Sequence, residues 1–128
     1  LAIQAGLGQL GRNGLLITKK YGSGVKICKI FTDLPLEIDH PIDFGVTNFC
    51  KNCKLCAEAC EADALSFDDE PSFETKCSEN NPGVKKWYIN AEKCYDYWYE
   101  NGMDCATCIT VCPFSKIKQN KPGDFWKI

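Results

Sequence analysis

The chain has 128 residues and a formal net charge of −2 at pH 7, a balance that gives no sign of a nucleic-acid-binding surface. Its hydrophobic content of 45% is enough for a modest folded core and argues against disorder. It has no apolar run of about 18 residues that could span a membrane, and its first residues do not form a secretion signal. We expect the start of a longer protein to be missing, because the chain begins in what looks like the end of a helix.

A glycine-dense loop over residues 6–14 comes first along the chain. Its Gly6-x-Gly8-x-x-Gly11 spacing matches the dinucleotide-binding fingerprint, but that motif follows a strand and opens a helix. Here the glycines follow helix-like sequence and precede an apolar run at residues 15–18, which is predicted to be a strand. The loop is therefore interpreted either as a structural turn or as a backbone cradle for a different large cofactor.

A turn at residues 21–24 leads to a second predicted strand at residues 25–31. Cys28 lies in that strand, where a free cysteine most often serves as a small buried apolar side chain. His40, the only histidine, precedes Pro41 in a polar turn and is interpreted as a surface residue. Neither Cys28 nor His40 is expected to bind a metal.

Ten cysteines in a chain of this length permit a disulfide scaffold, structural zinc or iron–sulfur clusters. Eight of them form two runs, made by Cys50, Cys53, Cys56 and Cys60 and by Cys94, Cys105, Cys108 and Cys112. The first run has the C-x2-C-x2-C-x3-C spacing of bacterial ferredoxins, and the second is a stretched form of it that ends in Pro113. This spacing favours two 4Fe-4S clusters.

Three thiolates on one tight loop can each reach a separate iron of a cluster, but the fourth must come from elsewhere. In two-cluster ferredoxins the fourth cysteine of each run binds the other cluster. The first cluster is then assigned to Cys50, Cys53, Cys56 and Cys112, and the second to Cys60, Cys94, Cys105 and Cys108. This exchange would place the clusters close enough for electron transfer and would make the fold depend on metal.

A disulfide scaffold and structural zinc both fit the spacing less well. Cysteines three residues apart on one loop do not easily pair as disulfides, and four-cysteine zinc sites usually show paired C-x2-C motifs without a third nearby cysteine. Glu61 follows Cys60 where ferredoxins usually have proline, and it is expected to change the local potential without loss of the cluster. Cys77 lies in a polar loop at residues 74–83, which is predicted to be exposed, and a ligand role for it is not favoured.

The remaining predicted elements surround the cysteines. They are a helical turn within residues 53–60, short strands at residues 64–67 and 84–89, a helix from an N-cap at Asn90 to Glu100 that ends at Asn101-Gly102, and a short helix around residues 108–111. Six aromatic residues lie near the second run: Trp87, Tyr88, Tyr95, Tyr97, Trp98 and Tyr99. They are interpreted as filling a small core and shielding the clusters from water. A less favoured alternative places Trp87 or Tyr88 in a substrate cavity.

Four blocks of the chain, extending through Lys116, resemble the C-terminal portion of corrinoid iron–sulfur reductive dehalogenases. They are the glycine loop, the sequence Thr32-Asp33-Leu34-Pro35-Leu36-Glu37, the four-cysteine run, and Cys94-x3-Trp98-x3-Gly102-x2-Cys105. Epoxyqueuosine reductases, which modify tRNA, share the first three blocks but usually differ in the fourth.

The resemblance implies an α+β fold class, with residues 1–48 a remnant of a nitroreductase-like cobalamin-binding domain and residues 49–128 a bacterial-ferredoxin-like domain with two 4Fe-4S clusters. It implies that electrons pass through the clusters to a cobalamin that removes halogen from an organohalide in organohalide respiration. The catalytic acid is expected upstream of Leu1, so no catalytic residue is assigned. The implied partners are a low-potential electron donor and a small membrane-anchor protein at the outer face of the cytoplasmic membrane, and no nucleic acid is expected.

Segments that could contact the corrin lie in the glycine loop and in the block that begins at Thr32. The candidates are Gly8, Gly11, Arg12, Asn13, Thr32, Asp33 and Leu34. Arg12 could equally be a surface ion-pair partner. An epoxyqueuosine reductase and a plain two-cluster electron carrier remain as alternative functions.

Overall fold

The computed structural model of the chain describes residues 1–116, which contain one small hairpin and five short helices. The elements are β1 (Gln9–Leu10), β2 (Leu16–Ile17), α1 (Val46–Asn52), α2 (Leu55–Glu58), α3 (Ala91–Asn101), α4 (Thr107–Thr110) and α5 (Pro113–Lys116). Most of the remaining chain is turn and loop. Such sparse secondary structure is typical of small domains whose fold depends on metal clusters.

The glycine loop forms the hairpin of β1 and β2, which pair antiparallel with Gln9 opposite Ile17. The backbone N–H of Gly11 donates to the carbonyl of Leu15 at 3.0 Å and closes the turn. A Cβ on Gly8 would collide with the backbone carbonyl of Ile17, so the two strands can approach only because this residue lacks a side chain.

Helix α1 is capped by the side chain of Gln9 from the hairpin. The helix begins after Gly45, which has φ 86° and offers no side-chain cap. Instead, Oε1 of Gln9 accepts hydrogen bonds from the N–H groups of Phe44 and Val46 at 2.8 and 3.2 Å. The first N–H of the helix and one donor just before it are thereby satisfied, and the hairpin fixes the helix that carries Cys50.

Helix α3 confirms the predicted helix near the second run. The side-chain oxygen of Asn90 accepts a hydrogen bond from the N–H of Lys93 at 3.0 Å, and Gly102 ends the helix in the left-handed region with φ 67°. These are the cap geometries that asparagine and glycine favour. Helices α2 and α4 likewise confirm the predicted turns within residues 53–60 and around residues 108–111.

The predicted strand at residues 25–31 is wrong. Residues 25–43 contain no strand or helix, and Cys28 is exposed rather than buried. Phe31 is 94% exposed and Ile30 is 84% exposed. A β-prone run forms a strand only beside a partner, and in residues 1–116 no strand lies next to this segment.

The two short strands predicted between the cysteine runs are also wrong. Residues 64–67 form no strand, and Ala64 and Leu65 are buried. Residues 84–89 make a single bridge, between Lys86 and Ser72. Both segments are held by packing around the cysteine loops rather than by a sheet.

The main core lies between the hairpin and α1. Its buried side chains are Ile17, Val46, Cys50, Trp87 and Cys112, with Phe44 and Phe114 packed at its edge. The ring of Phe114 makes edge-to-face contacts with Phe49 at 5.0 Å and Phe44 at 6.2 Å between centroids. Two cysteines from different runs therefore share one apolar cluster.

The proposed division between residues 1–48 and 49–128 stays a prediction. Helix α1 runs across that position, and the hairpin packs directly on the cysteine region. In the part of the chain that the structure describes, no helix combines the length and apolar character needed to cross a bilayer.

Candidate metal centre

Two matching turns present the cysteines of the two runs. In α2 the N–H groups of Ala57 and Glu58 donate to the carbonyl of Lys54, both at 2.9 Å. In α4 the N–H groups of Ile109 and Thr110 donate to the carbonyl of Ala106, both at 3.0 Å. The two turns also pack against each other. The two runs therefore present cysteines on turns of the same hydrogen-bond pattern that lie in contact.

Cys112, the last cysteine of the second run, lies beside the first three cysteines of the first run. The thiol of Cys50 lies near enough to those of Cys53 and Cys112 for their charges to act on it. Cys50, Cys53, Cys56 and Cys112 also line one small cavity, beside Arg12 and Phe114. We call these four residues the first cage.

The other four cysteines form a second group. Cys94 lies near Cys60 and Cys105, and Cys108 lies near all three, so that each would repel its neighbours if ionised. We call Cys60, Cys94, Cys105 and Cys108 the second cage. Cys56 of the first cage also lies near Cys108 of the second, and the crossed assignment of ligands to the two clusters stays a prediction.

The two cages are adjacent. Cys56 of the first cage shares an apolar cluster with Cys60 and Cys108 of the second, together with Leu65 and Val111. Apolar packing excludes water from the space between the cages and lowers the local dielectric. Electrons could pass between clusters held in this way without leaving the protein interior.

The chemistry of the four-thiol sets fits iron–sulfur clusters. Burial raises the pKa of the Cys56 thiol to about 12 and that of Cys108 to about 11, with added repulsion from neighbouring cysteines. Burial also raises the pKa of Cys50 and Cys94. Buried thiols held in such groups are stable as thiolates only when cationic metal balances their charge.

A cluster also differs from a single metal ion in the spacing it needs. Among residues 1–116, no three His, Cys, Asp or Glu side chains converge closely enough to bind one ion. Each of the four thiolates of a 4Fe-4S cluster binds a separate iron, so the four sulfur atoms lie further apart than the sulfur ligands of one zinc ion.

Arg12 and Asn13 lie buried at the tip of the hairpin, and each holds one cysteine loop. The Arg12 guanidinium donates to the carbonyl oxygens of Cys50 at 2.7 Å and Cys53 at 3.2 Å. The amide of Asn13 donates to the carbonyl oxygen of Cys108 at 3.4 Å. Arg12 is only 1% exposed, so the alternative that it is a surface ion-pair partner is wrong. Its guanidinium points into the cysteine region rather than to an open cofactor surface.

The other candidate corrin contacts divide into two groups. Gly8 and Gly11 are buried, and a Cβ on either would meet Ile17, so hairpin packing alone accounts for these glycines. Thr32, Asp33 and Leu34 lie in the exposed segment. A corrin contact by these residues stays a prediction.

Trp87 and Tyr88 occupy the interior, which corrects the alternative that they line a substrate cavity. Trp87 is 3% exposed, and its indole N–H donates to the carbonyl of Asp68 at 2.8 Å. Its ring stacks on Arg12, with 4.7 Å between the guanidinium carbon and the ring centroid. The hydroxyl of Tyr88 donates to the carbonyl of Asn81 at 3.1 Å. Tyr95, Trp98 and Tyr99 of α3 are exposed, so the interpretation that the aromatic residues fill a core does not hold for these three.

The remaining candidates from the sequence lie outside the cages. Cys77 is partly buried in a largely exposed loop, where its N–H donates to the side-chain oxygen of Asn80 at 3.3 Å. His40 is exposed. Glu61, which stands where ferredoxins have proline, accepts a hydrogen bond from the hydroxyl of Tyr97 on α3. This bond ties the turn after Cys60 to the helix that carries Cys94.

The roles of Arg12 and Gln9 were not foreseen from the sequence. Both residues act through carbonyl and amide groups far along the chain, and local sequence patterns carry no signal for such contacts. The one hint in the sequence was a charged residue inside a glycine-rich, apolar segment, where a buried charge must find several hydrogen-bond partners.

Residues 49–116 match the family described as the 4Fe-4S dicluster domain. The chain belongs to this family. The match confirms the predicted pair of 4Fe-4S clusters and a two-cluster ferredoxin-like domain.

The chain is also similar to reductive dehalogenases along most of its length. It is 45% identical over 122 residues to the tetrachloroethene reductive dehalogenase of Desulfitobacterium hafniense, an alignment that covers 92% of this chain and 22% of the relative. Solved structures of the catabolic reductive dehalogenase NpRdhA and of a reductive dehalogenase studied for B12-dependent dehalogenation both match with TM-score 0.75 and 32% identity. Those alignments cover 89% of this chain and 16% of theirs. The predicted resemblance is confirmed, over a span about a fifth as long as the relatives.

An epoxyqueuosine reductase of Lactococcus garvieae is less similar. It is 29% identical over 131 residues, and the alignment covers 91% of this chain and 31% of the relative.

Proposed function

We propose that the chain is the electron-transfer part of a reductive dehalogenase, in which two 4Fe-4S clusters pass single electrons to a cobalamin that removes halogen from an organohalide. The main support for the proposal is the pair of adjacent four-cysteine cages. The chain that holds them is 45% identical to a tetrachloroethene reductive dehalogenase over 122 residues. Each cluster supplies one-electron redox chemistry when bound.

The first cage would hold one cluster and the second cage the other, so that each run completes the site of its partner. Cys50 and Cys112 are buried, and the apolar side chains of Ile17, Val46 and Phe114 would keep water from the first cluster. Leu65, Val111 and Ile89 would do the same beside the second cage. Limited solvent access is one of the features by which proteins set cluster potentials.

Residues 1–48 would belong to a nitroreductase-like cobalamin-binding domain whose larger part lies upstream. Support comes from the exposed segment at residues 27–42, where seven large apolar side chains are 41–94% exposed: Ile27, Ile30, Phe31, Leu34, Leu36, Ile38 and Ile42. Apolar surface on this scale usually marks a contact with another protein part. Thr32, Asp33 and Leu34 lie within this segment and would contact the corrin or its domain.

The catalytic acid would lie upstream of Leu1, and the substrate would be a chlorinated or brominated hydrocarbon. A low-potential donor would reduce the clusters, and a small membrane-anchor protein would hold the enzyme at the outer face of the cytoplasmic membrane. Tetrachloroethene, for which the Desulfitobacterium hafniense relative is named, is the first substrate to try.

Two alternatives predict different behaviour. An epoxyqueuosine reductase would act on tRNA, and the lower identity of 29% to that relative speaks against it. A plain two-cluster carrier would need no hairpin and no exposed apolar segment ahead of the cysteine runs.

The test uses the protein with its upstream sequence, loaded with clusters and cobalamin and supplied with a low-potential one-electron donor. We expect halide release from tetrachloroethene or another organohalide and no turnover of epoxyqueuosine in tRNA. The 128-residue chain alone should accept and donate electrons without releasing halide. Turnover of the tRNA substrate with no halide from any organohalide, or a full-length protein that binds no cobalamin, would contradict the proposal.

A further inference from the structure

Arg12 is the one charged side chain that is buried within residues 1–115. Its guanidinium stays protonated in proteins, so it places a full positive charge in the interior. The ion pairs of the described residues all use lysines, and none places a carboxylate against Arg12. Burying a charge without a partner of opposite sign costs free energy, so the fold must place a negative charge near Arg12.

Carbonyl oxygens satisfy the hydrogen-bonding capacity of Arg12 but not its charge. The guanidinium donates to Cys50 and Cys53, and from its other edge to the carbonyls of Ser66 and Asp68 at 2.7 and 2.8 Å. The Cys50 carbonyl belongs to the last turn of α1, where helix carbonyls lack internal partners and a cation is favoured. Arg12 thus fixes the backbone that presents two cysteines of the first cage.

The carboxylates of Asp68 and Asp69 act on Arg12 only from exposed positions, whereas the first cage offers negative charge within the interior. Arg12 lines the same cavity as Cys50, Cys53, Cys56 and Cys112. A 4Fe-4S core bound by four thiolates is an anion, and one-electron reduction makes it more negative. A nearby buried cation stabilises the reduced cluster more than the oxidised one, because the attraction grows with the cluster charge and is weakly screened in the interior.

The second cage has no equivalent among the described residues. Lys93 and Glu61 lie next to Cys94 and Cys60 in sequence, but both are exposed. Lys93 is already paired with Asp63 at 3.2 Å. Charges at such positions act on a cluster through solvent, where their effect is small.

We propose that Arg12 is a positioning residue that also raises the reduction potential of the cluster in the first cage, and so makes the two clusters inequivalent as electron carriers. The proposal rests on the proposed function, in which each cage holds a cluster. It assigns to the hairpin a role in tuning electron transfer.

The test is a potentiometric titration of the anaerobically reconstituted chain, followed by electron paramagnetic resonance, in wild type, Arg12→Gln, Arg12→Lys and Lys54→Gln. Lys54 lies in the same cysteine loop but is solvent-accessible and paired with Asp69, so it is the matched control for loss of one positive charge. The Cys94→Ser background, in which only the first cage keeps four cysteines, identifies which cluster is shifted.

In Arg12→Gln we expect the equilibrium constant for reduction of the first cluster to fall by about tenfold or more, equivalent to about 59 mV for one electron. The second cluster should not shift. Arg12→Lys, which keeps the charge, should stay close to wild type, as should Lys54→Gln.

An unshifted first cluster in Arg12→Gln, or an equal shift in Arg12→Lys, would overturn the proposal. Loss of the first cluster from both Arg12 variants would also overturn it, since Arg12 would then have a structural role alone. Failure of the wild-type chain to hold two clusters would instead refute the assignment of the cages as cluster sites.

Discussion

Pairs of cysteine substitutions can decide whether the two runs exchange their last ligands. In the crossed arrangement Cys112 and Cys53 serve the same cluster, whereas Cys112 and Cys105 serve different ones. The variant Cys53→Ala/Cys112→Ala should therefore keep one intact cage, and Cys105→Ala/Cys112→Ala should keep none. If each run bound its own cluster, the two results would be exchanged.

The expected magnitudes follow from the four-and-four grouping of the thiols. A single intact cage holds about four irons, so the Cys53/Cys112 variant should retain about half of the wild-type iron, and the Cys105/Cys112 variant close to none. Packing loss cannot produce this difference. Removing one small buried side-chain atom such as Sγ costs about 1 kcal/mol, which is small beside a typical stability of about 5–15 kcal/mol.

The assay is iron and acid-labile sulfide per chain after anaerobic reconstitution, with circular dichroism to check the fold. Cys28→Ala/Cys77→Ala is the matched control, because both cysteines lie outside the cages and their loss should leave the iron content unchanged. Equal iron in the two test variants, or more iron in Cys105→Ala/Cys112→Ala, would refute the crossed assignment.

Two further predictions concern the core and pH. Ile17→Ala should lower the free energy of unfolding by about 2–5 kcal/mol in denaturant titrations, because Ile17 is 1% exposed and packs in the main core. Ile30→Ala, at an 84% exposed position, should change the free energy of unfolding by less than about 0.5 kcal/mol. Similar effects of both substitutions would contradict the described core. Burial raises the pKa of Cys56 to about 12 and that of Cys108 to about 11, so both thiols are protonated at neutral pH in the metal-free chain. Iron binding must displace these protons, so the apparent affinity should rise with pH up to about 12. Chelator competition at several pH values measures this, and an affinity that is flat or falls with pH would contradict it.

The cysteine sites could be predicted from the sequence because their information is local. Three cysteines within a few residues define a loop geometry, and the ferredoxin spacing supplies the crossing rule. Helix α3 could be predicted for the same reason, since Asn90 and Gly102 mark its ends. Where the determinants of structure lie within one turn of the chain, the expected and observed elements agree.

The errors arose where structure depends on distant partners. Residues 25–31 have strand composition but no neighbouring strand in the described chain, and so they stay exposed outside any sheet. Arg12 was interpreted from its glycine-rich surroundings, yet its position is set by carbonyl groups about 40 to 55 residues further along the chain. Such contacts depend on the assembled fold, which spacing and local propensity do not encode.

The most direct test of the central claim is the metal and sulfide content of the 128-residue chain after anaerobic reconstitution. Two cages of four cysteines predict about eight irons and about eight acid-labile sulfides per chain. Two zinc ions per chain with no labile sulfide would contradict the claim.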